Sequence, residues 1–260
     1  MKIKVYGKSI VGNGRLINED QMYCQGHYRT NLNDHNDTYS FEGDVDDLRV
    51  FAIFDGIGGL TNGELASLLC VKQIDDDYKK HILKKKSFFS TESIIKMNRA
   101  IVRENTVSKM GSTAVIAECR ENFLRISNIG DSRAYLNYDN TLVQLSVDHT
   151  LKERIKKLRN NYNIEIREKE YQKHILTQYI GVPEEEFLIE PFVSDYIIVD
   201  NGYKCLLCSD GLTDLVSYDI LLEVINANND CKYIVNKLMD MALSYNNTDN
   251  ISIVMLCWCD

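Results

Sequence analysis

Proline is scarce in this chain: only Pro183 and Pro191 occur in 260 residues. No Ser/Gly/Pro-rich stretch acts as a linker and no internal repeat or low-complexity tract appears, so a single domain over residues 1–260 is expected. Long hydrophobic runs are absent too. The longest late one, "IVMLCW", is far too short to span a bilayer, and the N-terminal "MKIKVYGKSI" carries lysines without an apolar core of signal-peptide length. Positive charge is in deficit, with 30 Lys and Arg against 38 Asp and Glu and a net charge of −8. That balance excludes a basic nucleic-acid surface, and an anionic substrate would need local positive charge from arginine or bound metal. These absences describe a soluble, cytoplasmic chain with neither nucleic acid nor membrane as partner.

Cysteine is not scarce, but its eight copies are scattered, several inside apolar runs such as "YKCLLCSD" and "VMLCWC". Cys205 and Cys208 have the spacing of half a zinc site, yet no partner pair follows. Buried, reduced thiols are the expectation.

An apolar content of 44% is ample for a core. Strand-like runs rich in Val, Ile, Phe and Tyr recur as "RVFAIFD", "STAVIAEC", "NFLRISNIGD", "RAYLNY", "YKCLLCSD" and "ISIVMLCWC". Turn signals at Gly130-Asp131, Asp139-Asn140 and Asn201-Gly202 separate several of them, which predicts antiparallel hairpins in the middle of the chain. Helical spacing appears between Thr61 and Lys86, opened by a Thr61/Glu64 capping box, and again at about 91–109, 218–227 and 231–245. Strands and helices do not alternate as in a doubly wound sheet. The pattern predicts an α+β architecture of antiparallel sheets covered by helices, with the charged "LKERIKKLRNNYNIEIREKE" as a solvated helix and loop.

Three of the strands end in an aspartate beside a glycine, at Asp55, Asp131 and Asp210, and the last strand is preceded by Asp249. If that last strand runs antiparallel to the others, all four carboxylates collect at one end of the sheets. Carboxylates so placed repel one another and tend to protonate, and a hard divalent cation resolves the conflict. Oxygen-only donors suit Mg²⁺ or Mn²⁺, while the glycines after Asp55 leave room for a backbone carbonyl and water. A single strand-end aspartate is ordinarily a turn residue or a cap; four at corresponding ends point to a metal-dependent hydrolase of unspecified substrate.

In chain order, "RLINED", "FDGIGG", "GST", "NIGDSRAYL", "DHT", "LCSDGL" and "DNISIV" resemble the motifs of the metal-dependent protein serine/threonine phosphatases, the type-2C family, in its compact bacterial form. The resemblance runs from Arg15 to Val254 and implies a β-sandwich of two antiparallel sheets with helices on both outer faces. It implies that Asp55 bridges two Mn²⁺ or Mg²⁺ ions, that Gly56 offers its carbonyl to one, and that Asp210 and Asp249 complete the other's shell. Glu19 and Asp20 would hold metal-bound waters, Asp131 with Asp210 would take a weaker third ion, and Arg15 would grip the substrate phosphate. The implied reaction is hydrolysis of phosphoserine and phosphothreonine in proteins by a metal-activated water, with a cytoplasmic Ser/Thr kinase as counterpart and the chain a monomer.

One position departs from many animal members, which carry a histidine where this chain, like bacterial members commonly, has an apolar residue, Ile57; isoleucine has no proton to give a leaving alcohol. His149 has the right chemistry, although a structural histidine beside a turn explains it better. Ser112 and Thr113 read as strand packing and backbone support. Residues 151–177 match the family's variable flap, closed by "LTQYIG"; its Lys152, Arg154, Lys156, Lys157 and Arg159 would attract acidic substrates or simply form a solvated face. Two other functions stand beside the protein phosphatase: an inactive relative that binds phosphoproteins, and a phosphatase of small phosphorylated molecules.

Overall fold

The computed structural model describes residues 1–57, 62–84, 90–105, 109–162, 174–245 and 247–260. Gly58, Gly59, Thr61 of the expected capping box, and positions 163–173 of the flap lie outside the described residues. Two antiparallel sheets face each other. In the first, the strand order is β3 (Asn36–Asp44), β1 (Lys2–Ile10), β12 (Ile251–Cys259), β11 (Lys204–Cys208), β7 (Arg133–Tyr138) and β8 (Thr141–Gln144). In the second it is β10 (Ile197–Ile198), β6 (Phe123–Ile129), β5 (Ala114–Arg120), β4 (Arg49–Phe54) and β2 (Gln21–Cys24), with β9 (Phe192–Val193) also paired to β6.

The continuous apolar runs follow from strands buried on both faces. Along β12, Val254, Leu256 and Trp258 enter the core between the sheets, and the alternate Ile251, Ile253, Met255 and Cys257 face the helices outside. Along β4, Phe51 and Ile53 enter the same central core, while Val50, Ala52 and Phe54 face the opposite helical layer. That layer is α1 (Gly63–Lys84) and α2 (Ser90–Glu104), whose Val71, Ile74, Ile94, Met97 and Ile101 are fully buried. The other layer is the short α4 (Asp210–Thr213) with α5 (Tyr218–Ala227) and α6 (Cys231–Ser244). The hairpin between β7 and β8 turns on Asp139 and Asn140, both at positive φ, as a two-residue turn between twisted strands demands.

The helix α3 (Leu151–Tyr162) buries only Ile155 and otherwise lies in solvent, as its charge pattern predicts. The Thr150–Leu176 and Ser112–Ile180 bridges fasten the far end of that excursion to the sandwich. The thiols differ from expectation in one respect. Cys231 of α6 and Cys257 of β12 are paired as a disulfide, while the other six cysteines are free and five of those are buried. Spacing in sequence gave no hint of a contact that arises only when α6 packs on β12. Among the described residues no helix is long and apolar enough to cross a membrane.

Candidate active site at the sandwich edge

Strand direction decides where the acids meet. β2 begins beside the end of β4, with Gln21 opposite Phe54, and β12 begins beside the end of β11, with Ile253 opposite Cys208. Asp20 before β2, Asp55 after β4, Asp131 after β6, Asp210 after β11 and Asp249 before β12 therefore stand at one edge of the sandwich.

Their electrostatics record the crowding. Burial pushes Asp55 well above the ordinary carboxylate range, and the charges of Asp20, Asp210 and Asp131 push it further. Burial also lifts Asp20 to about 7 against hydrogen bonds from Ser252 and Ser209, with Asp210 and Asp249 adding repulsion. Asp131 rises to about 8 through burial, then Asp210 and Asp148, and Asp210 to about 6 through burial, then Asp214 and Asp249. Desolvation raises Glu19 as well, opposed by Arg15. Asp20, Asp55 and Asp131 each feel the charge of Asp210, and Glu19 feels Glu64 and Asp249.

The second half of the site is scaffolding. Ser209 Oγ and Ser252 Oγ donate to Asp20 Oδ2 at 2.9 and 2.7 Å, so an acid of the second sheet is held by hydroxyls at the edge of the first. Asn250 accepts the Glu19 N–H at 2.9 Å and donates to the Ile17 carbonyl, fixing the "INED" loop to the start of β12. Buried Arg29 donates to the carbonyls of Asn18 and Asp20, both at 2.7 Å. Behind Asp55, Ser112 Oγ donates to its carbonyl at 3.0 Å, and Thr113 Oγ1 accepts its N–H at 3.3 Å, the backbone support expected of both. Gly56 has to be glycine: a Cβ there would run into the backbone carbonyls of Gly63 and Glu19.

Arg15 closes the rim. Its Nη1 reaches Glu19 Oε2 at 3.0 Å, its Nη2 reaches Asp249 Oδ1 at 2.9 Å, and its Nε donates to the Thr248 carbonyl at 3.3 Å. His149 stays structural: its Nδ1 accepts the Gly130 N–H at 3.1 Å, and burial moves its pKa down, away from the charged form.

Among the described residues no three acidic, histidine or cysteine side chains close round one point as a finished metal cage. The donor set nevertheless fits a hard divalent ion whose shell is completed by water: oxygen atoms only, buried, and mutually repelling until a cation is supplied.

A family model described as Protein phosphatase 2C matches residues 18–159, more than half the chain. The chain belongs to the protein phosphatase 2C family. Among curated relatives of this phosphatase, the serine/threonine phosphatase stp of Listeria welshimeri is 28% identical over 219 residues, covering 81% of this chain and 85% of that one. Among solved structures, the serine/threonine phosphatase PstP/Ppp of Mycobacterium tuberculosis matches over the full length of both chains, with a TM-score of 0.75 and 25% identity. The catalytic domain of a serine/threonine phosphatase PstP in complex with two manganese ions matches with a TM-score of 0.73 at 24% identity, covering 100% of both chains, a likeness of fold. The α+β architecture expected from the strand pattern, and the two-sheet sandwich implied by the family resemblance, are the phosphatase 2C fold.

Several residues of this phosphatase site escaped the sequence reading. Asp214, four residues after Asp210, caps the C-terminal end of α4, a spacing that "SDGLTD" displays openly. Arg133 grips Asp148 through Nη2–Oδ2 at 2.6 Å and Nε at 3.0 Å to both oxygens. His174 and Arg29 carried no motif that would have marked them, while Asn18, Ser209, Asn250 and Ser252 stand inside quoted motifs without having been given a role.

Proposed function

We propose that this member of the protein phosphatase 2C family hydrolyses phosphoserine and phosphothreonine in proteins, using Mn²⁺ or Mg²⁺. The observation that carries the reading is the convergence of Asp20, Asp55, Asp131, Asp210 and Asp249 on one edge, with Arg15 at its rim. Asp55, the Gly56 carbonyl, Asp210 and Asp249 would hold two ions directly, Glu19 and Asp20 would hold them through water, and Asp131 with Asp210 would take a weaker third. Bound there, the ions lower the pKa of water enough to furnish hydroxide near neutral pH.

The protein's own residues do the rest. Arg15 presents a planar fork at the rim, suited to two phosphate oxygens, and its charge offsets the negative charge that spreads over them in the transition state. Ser209 and Ser252 orient Asp20, and Ser112 with Thr113 holds the Asp55 backbone, so the acids are placed before substrate arrives. The names of the relatives, serine/threonine phosphatases, support a phosphoprotein substrate, with a Ser/Thr kinase as counterpart. Residues 1–260 act as one catalytic domain, monomeric and cytoplasmic. Retention of every acid at the metal positions speaks against an inactive binding module.

The test is phosphate release from a phosphothreonine peptide with Mn²⁺, with Mg²⁺ and with chelator, beside Asp55→Asn and Asp210→Asn. Metal-dependent release abolished in both variants is expected. Release that survives chelation, or variants as active as the parent, would overturn the reading.

A further inference from the structure

A leaving serine alkoxide needs a proton, and neither Ile57 nor His149 is placed to give it. Ile57 has no ionisable group, and His149 is buried, held by Gly130 and shifted toward its neutral form. His27 is tied to Asp37 at 2.9 Å. A cleft beside the acidic edge brings a different histidine into view. Asp131 and Asp210, both in the acid cluster, line it together with His174, Asp214, Arg133 and Lys152. Of the chain's five histidines, His174 alone lines this cleft among the described residues. Its Nδ1 lies 3.5 Å from Asp214 Oδ2, and its side chain is 65% exposed.

We infer that His174, oriented by Asp214, is the proton donor to the leaving alcohol, a reading that rests on the proposed phosphatase function. Several features converge on it. With Nδ1 facing the Asp214 carboxylate, Nε2 is the nitrogen left to transfer a proton, the arrangement that serves histidine acids and bases generally. Asp214 caps the C-terminal end of α4, the short helix whose first residue is the metal-position acid Asp210, so the imidazole is tied to the end of that helix. The charged groups that line the cleft with the ring are Asp210 of α4 and Asp214 at its C-terminal end, Asp131 and Arg133 around the start of β7, Asp148 before α3, and Lys152 with Glu153 on α3. Arg133 and Asp148 are engaged with each other as a bidentate pair, which leaves Asp214 as the acid paired with the imidazole. In the step, water's oxygen bonds to phosphorus, the bond from phosphorus to the serine or threonine oxygen breaks, and that oxygen takes the Nε2 proton. Inorganic phosphate and the free hydroxyl leave, and neutral His174 regains a proton from solvent.

The experiment compares His174→Gln and Asp214→Asn with the parent on two substrates, a phosphothreonine peptide and p-nitrophenyl phosphate, whose leaving group departs without protonation. His174 is exposed, so the Gln variant keeps its fold, and matching thermal midpoints verify this. A fall in kcat of at least ~10²-fold on the peptide, with less than ~3-fold on the aryl ester, is the signature of a lost proton donor. The same variant should lose the alkaline limb of the peptide pH profile, and added imidazole should restore turnover to His174→Gly. Equal losses on both substrates, or no loss on the peptide, would overturn the assignment of His174 and leave the phosphatase reading standing. A parent protein that releases phosphate from neither substrate would overturn both.

Discussion

Arg15 Nη2 rests 2.9 Å from Asp249 Oδ1 while Nη1 of the same guanidinium reaches Glu19, so the cation expected to receive phosphate already neutralises two of the metal-position acids. Substrate phosphate and metal therefore make opposed claims on one side chain. Replacing Arg15 by alanine should weaken phosphopeptide binding, raising KM, and at the same time tighten Mn²⁺, because a competing cation is removed. A partly exposed pair is worth up to about 1 kcal/mol, which corresponds to roughly fivefold in affinity. Calorimetric titration of Mn²⁺ into parent and Arg15→Ala protein measures it; weaker Mn²⁺ binding in the variant would show that Arg15 supports the metals rather than standing in for them.

Ser209 offers a second prediction. Its hydroxyl donates to Asp20 and accepts the Ser252 N–H at 3.0 Å, tying the two sheets together inside the protein. Ser209→Ala leaves a buried carboxylate one hydrogen bond short, and about 1–3 kcal/mol of stability should be lost in urea unfolding of the metal-free protein. A midpoint unchanged from the parent would mean that water replaces the hydroxyl at no cost.

For Gly56, the backbone of Gly63 and Glu19 leaves no room for even a methyl group. Gly56→Ala should destabilise the fold by about 1–3 kcal/mol through overpacking. Because the parts pushed aside are the Glu19 loop and the start of α1, Mn²⁺ affinity should fall with it. Differential scanning fluorimetry with and without Mn²⁺ separates the two effects: stabilisation by the ion should shrink in the variant.

The acid cluster also predicts the pH response of metal-free protein. Asp210, Asp20 and Asp131, at about 6, 7 and 8, all lie above the ordinary aspartate value, burial being the largest cause for each. Between that ordinary value and the raised ones, the folded chain holds protons that the unfolded chain has released. Their contribution to stability is full below about pH 4 and is lost as pH climbs through 6 to 8. The melting temperature in chelator should fall between about pH 5 and about pH 8.5, and saturating Mn²⁺ should flatten the decline. A flat profile in chelator would count against a charged, crowded edge.

Much of this arrangement was legible before any coordinates. The doubly buried strands β4, β11 and β12 advertised themselves as unbroken apolar runs, and α5 was readable to its ends at Tyr218 and Ala227. Asp55, Asp131 and Asp210 were visible because strand ends next to glycine are a local pattern, and Asp249 because it stands just before the last apolar run. β1 and β3 were not. Their hydrophobic residues alternate with lysines, aspartates and a glycine, and their identity as strands comes from nine-residue pairings with partners far away in sequence. The roles of Asn250 and Ser252 were hidden for the same reason: they hold a carbonyl, an N–H group and a carboxylate of the 17–20 loop, more than 200 residues away in sequence.

Asp20 and Asp55 belong to one sheet, Asp210 and Asp249 to the other. The distance between the sheets is set by side-chain volume in the central core, where Trp258, Phe51 and Met22 are buried. Ions held by both pairs would act as a clasp across the sandwich, and the clasp closes only at one sheet spacing. Packing in that core thereby becomes a tuning element for the reaction, with Trp258, at the far end of β12 from Asp249, able to detune the edge without touching it.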